Sequence, residues 1–547
     1  MQQTSRTLHA GVTIATAILV LGLSLLATGH LIQSNWQELF LFNGDSLTLA
    51  LYAQSLFSGE VRDWTFSSQI FFFPEILLYL ICYALAPTLE SSFIFNAVIN
   101  FCLCVFLLYK IAAAAGANRS TRTGFSLIAS ALLFFYIALE QRAEVNVTAL
   151  VTLVLFNTYY FGSILSALLI AWVTCRVLSD SRGQHRISYL VIGLCAAATY
   201  FSNPMFLLQG AIPFVLAIVG IRWLKLIEKS DAGGLVVAII FGVVLGQLLR
   251  MIFSDHVGKS VGKYIHLRSF MDGLQGVGSN LVKVSASPLS TFEYTVIAVL
   301  LLVAVIVTSR YVISTMRDRT ERPSTSPALA FITLFSTGAA VVTLLGTIIS
   351  GNYLMRYFLP IAIFPIFVFL IIPLQASTRS WVQSKVYFSV AALSSLALVS
   401  AALFLTPTMA SLSWRHVAQP SSAHAAIRCF NQAMTDKSFN VVGTFWTTRT
   451  LDAYRQSSAR ALQVNEHFEP TLWLNNRETY RDLKVNGVIV SRPVDGIRLK
   501  GAIYDEDTRL LGSPDRVFAC ADFDIYFYQD ASSGFRYLSE QMKKLKR

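Results

Sequence analysis

Long apolar runs separated by short, mostly basic turns fill the first three quarters of the chain. A bilayer core about 30 Å thick needs a run of about 20 apolar residues to cross it as a helix. Candidate runs lie at about residues 10–31, 70–87, 93–110, 124–140 and 145–175, and about seven more follow up to residue 405. Four turns between the later runs are basic: Cys175 to Arg186, Arg222 to Lys229, Arg310 to Ser326 and Ser377 to Lys385. Placing these turns inside puts Phe201 to Phe206, residues 254–292 and Gly351 to Arg356 on the outer side, together with everything after the last span. An inside start and an outside end require an odd number of crossings, and the early runs do not supply it. Either "FFFPEILLYLICYALAP" is too short to span, or the 145–175 run breaks near "FNTYYFG". Unbroken, that run would be about 45 Å long at about 1.5 Å per residue. The pattern therefore predicts a polytopic α-helical membrane protein with about 11–13 transmembrane helices. The opening run is too long for a secretory signal and has no small-residue cleavage site, so it reads as an uncleaved span.

From about Pro407 the pattern changes. Short β-type runs such as "FNVVGTFW", "VNGVIVS" and "DFDIYFYQ" alternate with helical stretches such as "TRTLDAYRQSSARAL". This predicts two parts: a transmembrane part over residues 1–406, with a first outer loop at about 32–69 and a later one at about 254–292, and a small extracytoplasmic α/β domain over 407–547. The domain holds two cysteines, Cys429 and Cys520, whose alternatives are a disulfide in an oxidising compartment or two buried thiols. The other five cysteines fall in apolar runs and read as packing residues.

Composition agrees with this picture: 54% hydrophobic, 14% charged, mean hydropathy +0.56. The formal charge of +12 reflects basic residues in loops between spans, which the positive-inside bias explains without nucleic acid. No CxxC pair, zinc-type His/Cys cluster or Walker phosphate loop is present, and no cofactor is indicated; a divalent metal stays open.

The first outer loop carries the informative acids. In "FNGDSLTLALYAQSLF" Asp45 precedes Leu47, Leu51 and Phe57 at helical spacing, which predicts an amphipathic helix on the bilayer surface. Asp45 is either the N-cap of that helix or a working carboxylate at the outer mouth of the bundle, where an acid is otherwise costly. Glu75, directly after Pro74, is either a second working acid or a charge stabilised by its own helix N-terminus. Glu60 and Asp63 read as solvated loop charges.

A long first outer loop with an acid soon after span one resembles the GT-C glycosyltransferases, which include the protein mannosyltransferases and the lipid A aminoarabinose transferases. An interfacial helix, about a dozen spans and an outer C-terminal domain strengthen the likeness. The resemblance implies an inverting glycosyltransferase of the inner (plasma) membrane. It would use a polyprenyl-phosphate sugar as donor and a glycan, lipid or protein as acceptor, in cell-envelope glycan biosynthesis. It assigns the catalytic acid to Asp45. A second acid is expected near "FNTYYFG", where none stands; Glu75, Glu140 and Glu144 are the nearby alternatives, and metal dependence is open with them.

The chemistry needs a base for the acceptor hydroxyl and cations for the phosphate leaving group. Arg356 in "GNYLMRYFLP" suits the phosphate, its alternative being a snorkelling interfacial arginine. Lys259, Lys263, His266 and Arg268 place basic charge on an outer loop against the positive-inside bias, either for the donor phosphate or for lipid headgroups. Tyr159, Tyr160 and Tyr357 line the site by stacking or act as interfacial anchors. A flippase of lipid-linked saccharides is disfavoured because charges collect at span ends and not at their centres. A polysaccharide polymerase or ligase is disfavoured because the long outer loop comes first and a soluble domain is appended.

Overall fold

A computed structural model describes residues 2–60, 63–143, 149–180, 185–258, 267–317, 326–375, 381–405, 424–434, 439–481, 483–493, 501–530 and 532–543. Among these, nine helices are long and apolar enough to cross a membrane, and three shorter apolar helices span Phe72–Leu85, Arg186–Ser202 and Leu207–Trp223. The expected break occurs without adding a crossing, because the described residues before it in that run hold only the short 3-10 turn Thr152–Leu155. The 145–175 run does break at Asn157–Tyr160, where Tyr159 and Tyr160 take φ of 65° and 75° before the helix Phe161–Ser179 begins. The helix Phe72–Leu85 is also short, covering about 21 Å at about 1.5 Å per residue. The bundle buries the helix Arg119–Ala143 on all sides, and Trp36, Phe40, Phe93, Phe101 and Phe134 are among its largest enclosed side chains.

The C-terminal domain holds a five-stranded sheet. β2 (Val441–Gly443) runs parallel to β3 (Ala461–Gln463) and to β5 (Gly487–Ser491). β7 (Phe523–Phe527) is antiparallel to β5 and to β6 (Arg516–Ala519). Parallel neighbours require a crossover, supplied between β2 and β3 by the helix Phe445–Ala453. Cys429 and Cys520 form a disulfide.

That crossover helix joins the two parts. Its Thr450 hydroxyl donates to the Phe42 carbonyl, Tyr454 donates to Leu41 O (3.1 Å), and Gln54 Nε2 donates to Ala453 O (2.9 Å). The first-loop helix Thr48–Phe57 therefore does not lie free on a membrane surface. It is held between the helix Leu77–Leu85 and the C-terminal domain, with Leu49, Ala50, Leu51 and Ala53 buried and only Phe57 among its large apolar residues exposed. A second clamp pairs β1 (Trp64–Thr65) from the first loop antiparallel with β4 (Asn475–Asn476).

Glu60 and Asp63 are not solvated charges, because the domain supplies arginine partners to both. Arg460 reaches Glu60 at 2.9 Å and Asp452 at 3.1 Å, while Asp63 faces His256, Arg477 and Arg481 within 3.7 Å. Burial alone would raise the Asp452 carboxyl, but Arg460 and Arg455 carry it below its ordinary value. Its contribution to stability is thus complete above about pH 4, the unfolded value, and is lost as pH falls through the lower folded value. Arg460→Met leaves Asp452 short of a partner in a buried place. The expected cost is about 3 kcal/mol, read as a lowered melting midpoint of the protein in nanodiscs at pH 7. An unchanged midpoint would show that the ion pairs are dispensable.

Candidate functional site

The turn Asn43–Gly44–Asp45–Ser46 places the first acid. Asn43 Oδ1 accepts from the Asp45 backbone N–H (3.0 Å), an Asx-type turn, and also from the Tyr159 hydroxyl (3.2 Å). The following helix has no side-chain cap, and Thr48 N–H bonds to the backbone carbonyl of Asp45, so the Asp45 side chain is released from capping. Gly44 is required for a steric reason: a Cβ there would sit 2.6 Å from the Phe445 ring of the C-terminal domain.

Asp45 opens into a cleft of about 190 Å³. The first loop also contributes Ser67, Ser68, Gln69 and Phe71; the helix break contributes Thr158, Tyr159 and Tyr160. Arg356 and Tyr357 come from the start of a later span, and Trp473 and Leu474 from the C-terminal domain. Across the cleft the Arg356 guanidinium stands 3.8 Å from the Asp45 carboxylate, with the two side chains 32% and 22% exposed. Its centre lies over three rings, 5.7 Å from Tyr159 and 5.8 Å from Tyr160 and Tyr357, distances at which cation–π attraction acts. Its Nε is buried with no hydrogen-bond partner among the described residues. A cation held by aromatic faces, with an unfilled donor and one loose carboxylate neighbour, is set to receive an anion.

The tyrosines are themselves fixed. Tyr160 donates to Gln69 Oε1 (2.8 Å), and its hydroxyl lies 3.2 Å from that of Tyr357. Arg250, at the end of the helix Lys229–Ile252, bonds the carbonyls of Ser68 (2.7 Å) and Phe201 (2.8 Å) and so pins the cleft wall. Burial raises the Asp45 carboxyl above its ordinary value, with Arg356 and Arg449 opposing. Burial and Asp45 push the Tyr159 hydroxyl up, and burial with Tyr357 pushes the Tyr160 hydroxyl up, so both phenols stay neutral. Burial brings Arg449 down to about 10, opposed by Asp452, Tyr480 and Asp45.

Backbone strain gathers here as well. Six non-glycine residues among those described have positive φ, and four of them line this cleft: Phe71 (57°), Tyr159 (65°), Tyr160 (75°) and Leu474 (56°). Each costs of order 1–3 kcal/mol, and such residues cluster at ligand sites.

Of the residues singled out from sequence, Asp45, Tyr159, Tyr160, Arg356 and Tyr357 are brought together. Glu75 is not, which corrects its pairing with Asp45 as a catalytic acid. It is 6% exposed, absent from the cleft lining, and packed on the backbone of Gly162, where a Cβ would come within 2.1 Å of its carboxyl carbon. The helical turn Phe72–Ile76 brings Phe71 to the cleft and carries Glu75 to the neighbouring helix. Glu140 is turned elsewhere too, accepting from the amides of Leu150 and Val151 (2.6 Å each) and Thr152 (2.5 Å). Glu144, Lys259, Lys263 and His266 lie outside the described residues, and Arg268 falls within the helix Leu267–Ser285. Among the described residues no three His, Cys, Asp or Glu side chains gather to hold a metal ion, and Asp45 is the one carboxylate of the cleft. Sequence reasoning missed Gln69, Arg250 and Trp473. None carries a local signal, because each acts through a partner distant along the chain.

No family model and no curated protein matches the sequence. Among solved structures, the chain is similar to the crystal structure of ArnT from Cupriavidus metallidurans bound to undecaprenyl phosphate. The TM-score is 0.50 at 12% identity, over 94% of this chain and 98% of that one. The likeness covers nearly the whole of both chains, and it is a likeness of fold.

Proposed function

We propose that the chain is a membrane glycosyltransferase that moves a sugar from a polyprenyl-phosphate donor to a glycan, lipid or protein acceptor on the outer side of the inner membrane. The observation that carries this reading is the facing pair of Asp45 and Arg356 in one cleft, the guanidinium boxed by three tyrosines and, among the described residues, lacking a partner at Nε. The shared fold with ArnT, crystallised with undecaprenyl phosphate, supports the choice of donor class. The Cys429–Cys520 disulfide supports an oxidising, outer location for the C-terminal domain, read here as residues 407–547 attached to a transmembrane part over 1–406.

Asp45 takes the proton of the acceptor hydroxyl as its oxygen attacks the anomeric carbon. The bond from that carbon to the phosphate oxygen breaks with inversion, and its electron pair stays on the phosphate. Arg356 stabilises the charge that grows there, with Lys259, Lys263, His266 and Arg268 of the later outer loop assigned a supporting role. The raised Asp45 pKa brings the base nearer the working pH, which favours proton transfer. Tyr159, Tyr160 and Tyr357 orient the guanidinium and close the donor side of the cleft.

The test reconstitutes the full chain in proteoliposomes with radiolabelled polyprenyl-phosphate sugars and a membrane-lipid extract as acceptor. A transferase releases sugar-free polyprenyl phosphate and labels the acceptor. Donor that crosses the bilayer with its glycosidic bond intact would instead establish a flippase.

A further inference from the structure

Within the transferase reading just proposed, the geometry points to Trp473 of the C-terminal domain as a sugar-contacting residue, its indole forming the face on which a pyranose ring lies in the cleft. Trp473 and Leu474 are the domain's contributions to the cleft lining. Their position is built and not incidental. β4 begins at the next residue and pairs with β1 of the first loop, Asp63 N–H bonds Asn476 Oδ1 (3.0 Å), and Arg477 N–H bonds the Asp63 carbonyl (2.8 Å). Leu474 holds φ at 56°, a conformation that a leucine adopts only when its surroundings impose it. Phe445 backs the indole at 4.7 Å between ring centres and fills the space left by Gly44, the neighbour of Asp45. Arg449 supports Phe445 from 5.7 Å and bonds the Thr48 hydroxyl (3.3 Å). Asp45, Gly44, Phe445 and Trp473 thus form one rigid succession from the base to the indole.

The packing does not consume that indole: Trp473 remains 40% exposed. The three tyrosines of the cleft are occupied with the Arg356 guanidinium and Phe71 is buried at 7% exposure, which leaves Trp473 as the exposed aromatic surface of the cleft. A pyranose is itself two-sided. Its C–H face carries slight positive charge and suits the electron-rich face of an indole, while its hydroxyls need donors and acceptors around the edge. Ser67, Ser68, Gln69 and Thr158 supply such groups on the same cleft. The ring belongs either to the acceptor or to the donor, and both present the same chemistry.

The experiment compares native chain, Trp473→Ala and Trp473→Phe in nanodiscs, using radiolabelled polyprenyl-phosphate sugar, a membrane-lipid extract, and undecaprenyl phosphate without sugar. Trp473→Ala should raise one KM by about 10- to 100-fold. The Kd for undecaprenyl phosphate and the melting midpoint should stay unchanged, and Trp473→Phe should recover most of the loss. A rise confined to the acceptor extract assigns the ring to the acceptor, and a rise confined to the donor assigns it to the donor sugar. Unmoved KM values with an active native chain overturn the role of Trp473 and leave the transferase reading intact. Parallel losses of Kd and melting midpoint reduce Trp473 to a structural residue. Saturation-transfer NMR with methyl pyranosides needs no turnover: a signal lost in Trp473→Ala supports the contact, and a signal retained there, or absent from the native chain, overturns it.

Discussion

Asp45→Asn should abolish most sugar transfer, lowering kcat by about 10²- to 10⁴-fold, the usual contribution of a positioned general base. The amide is close in shape to the carboxylate, and the turn that places it relies on Asn43 and backbone groups, so the fold should survive. Binding of undecaprenyl phosphate should hold or tighten, since the carboxylate 3.8 Å from Arg356 competes with an incoming phosphate. The combination of lost turnover and kept affinity separates a base from a residue that merely shapes the cleft. The pH profile supplies a further check. Transfer requires ionised Asp45, and burial raises its pKa. Activity should therefore fall on the acid side through a pKa above that of an ordinary aspartate, and remain on the alkaline plateau while Tyr159 and Tyr160 are neutral. Full turnover by Asp45→Asn would falsify the base assignment.

Arg356→Ala should be nearly as damaging, and through donor binding as well as rate. A charged hydrogen bond to a phosphate oxygen is worth about 1.5–3 kcal/mol, so Kd for undecaprenyl phosphate should weaken by about 10- to 150-fold. A further loss in kcat is expected because leaving-group charge grows during the reaction. Stability should change little: among the described residues the guanidinium makes one loose ion pair, three contacts to aromatic faces, and no bond through Nε. Arg356→Lys keeps the charge but loses the planar fork and its stacking among the tyrosines, so it should recover only part of the affinity. If alanine and arginine forms bind undecaprenyl phosphate equally, the phosphate sits elsewhere.

Much of the membrane architecture was legible in the linear pattern because bilayer thickness sets the length of a span and loop charge sets its direction. Of the seven later runs set off by the four basic turns, five are helices long enough to span, and two are the shorter apolar helices Arg186–Ser202 and Leu207–Trp223. The break at Asn157–Tyr160 was visible as excess length, although the positive φ values that make it were not. Local spacing misled where a neighbour from far along the chain intervened. The Thr48–Phe57 helix has an amphipathic pattern, yet its polar residues Thr48 and Gln54 bond to a domain that begins about 350 residues later. Glu60 and Asp63 read as solvated because their arginines lie across the same gap. Glu75 stood in an acid-bearing loop, but one short helical turn sends it to Gly162 and away from the cleft.

The sequence by itself determined the solvent that each segment prefers, since transfer of a side chain between water and hydrocarbon is a property of the residue and its near neighbours. It therefore dictated the apolar helices long enough to span and the appended α/β unit. Tertiary structure alone decided which polar groups meet. It set Asp45 against Arg356 and turned Glu75 away. It also brought a tryptophan of the appended domain to the mouth of the bundle. Such meetings depend on strand pairing and side-chain packing between segments hundreds of residues apart, and no local periodicity records them.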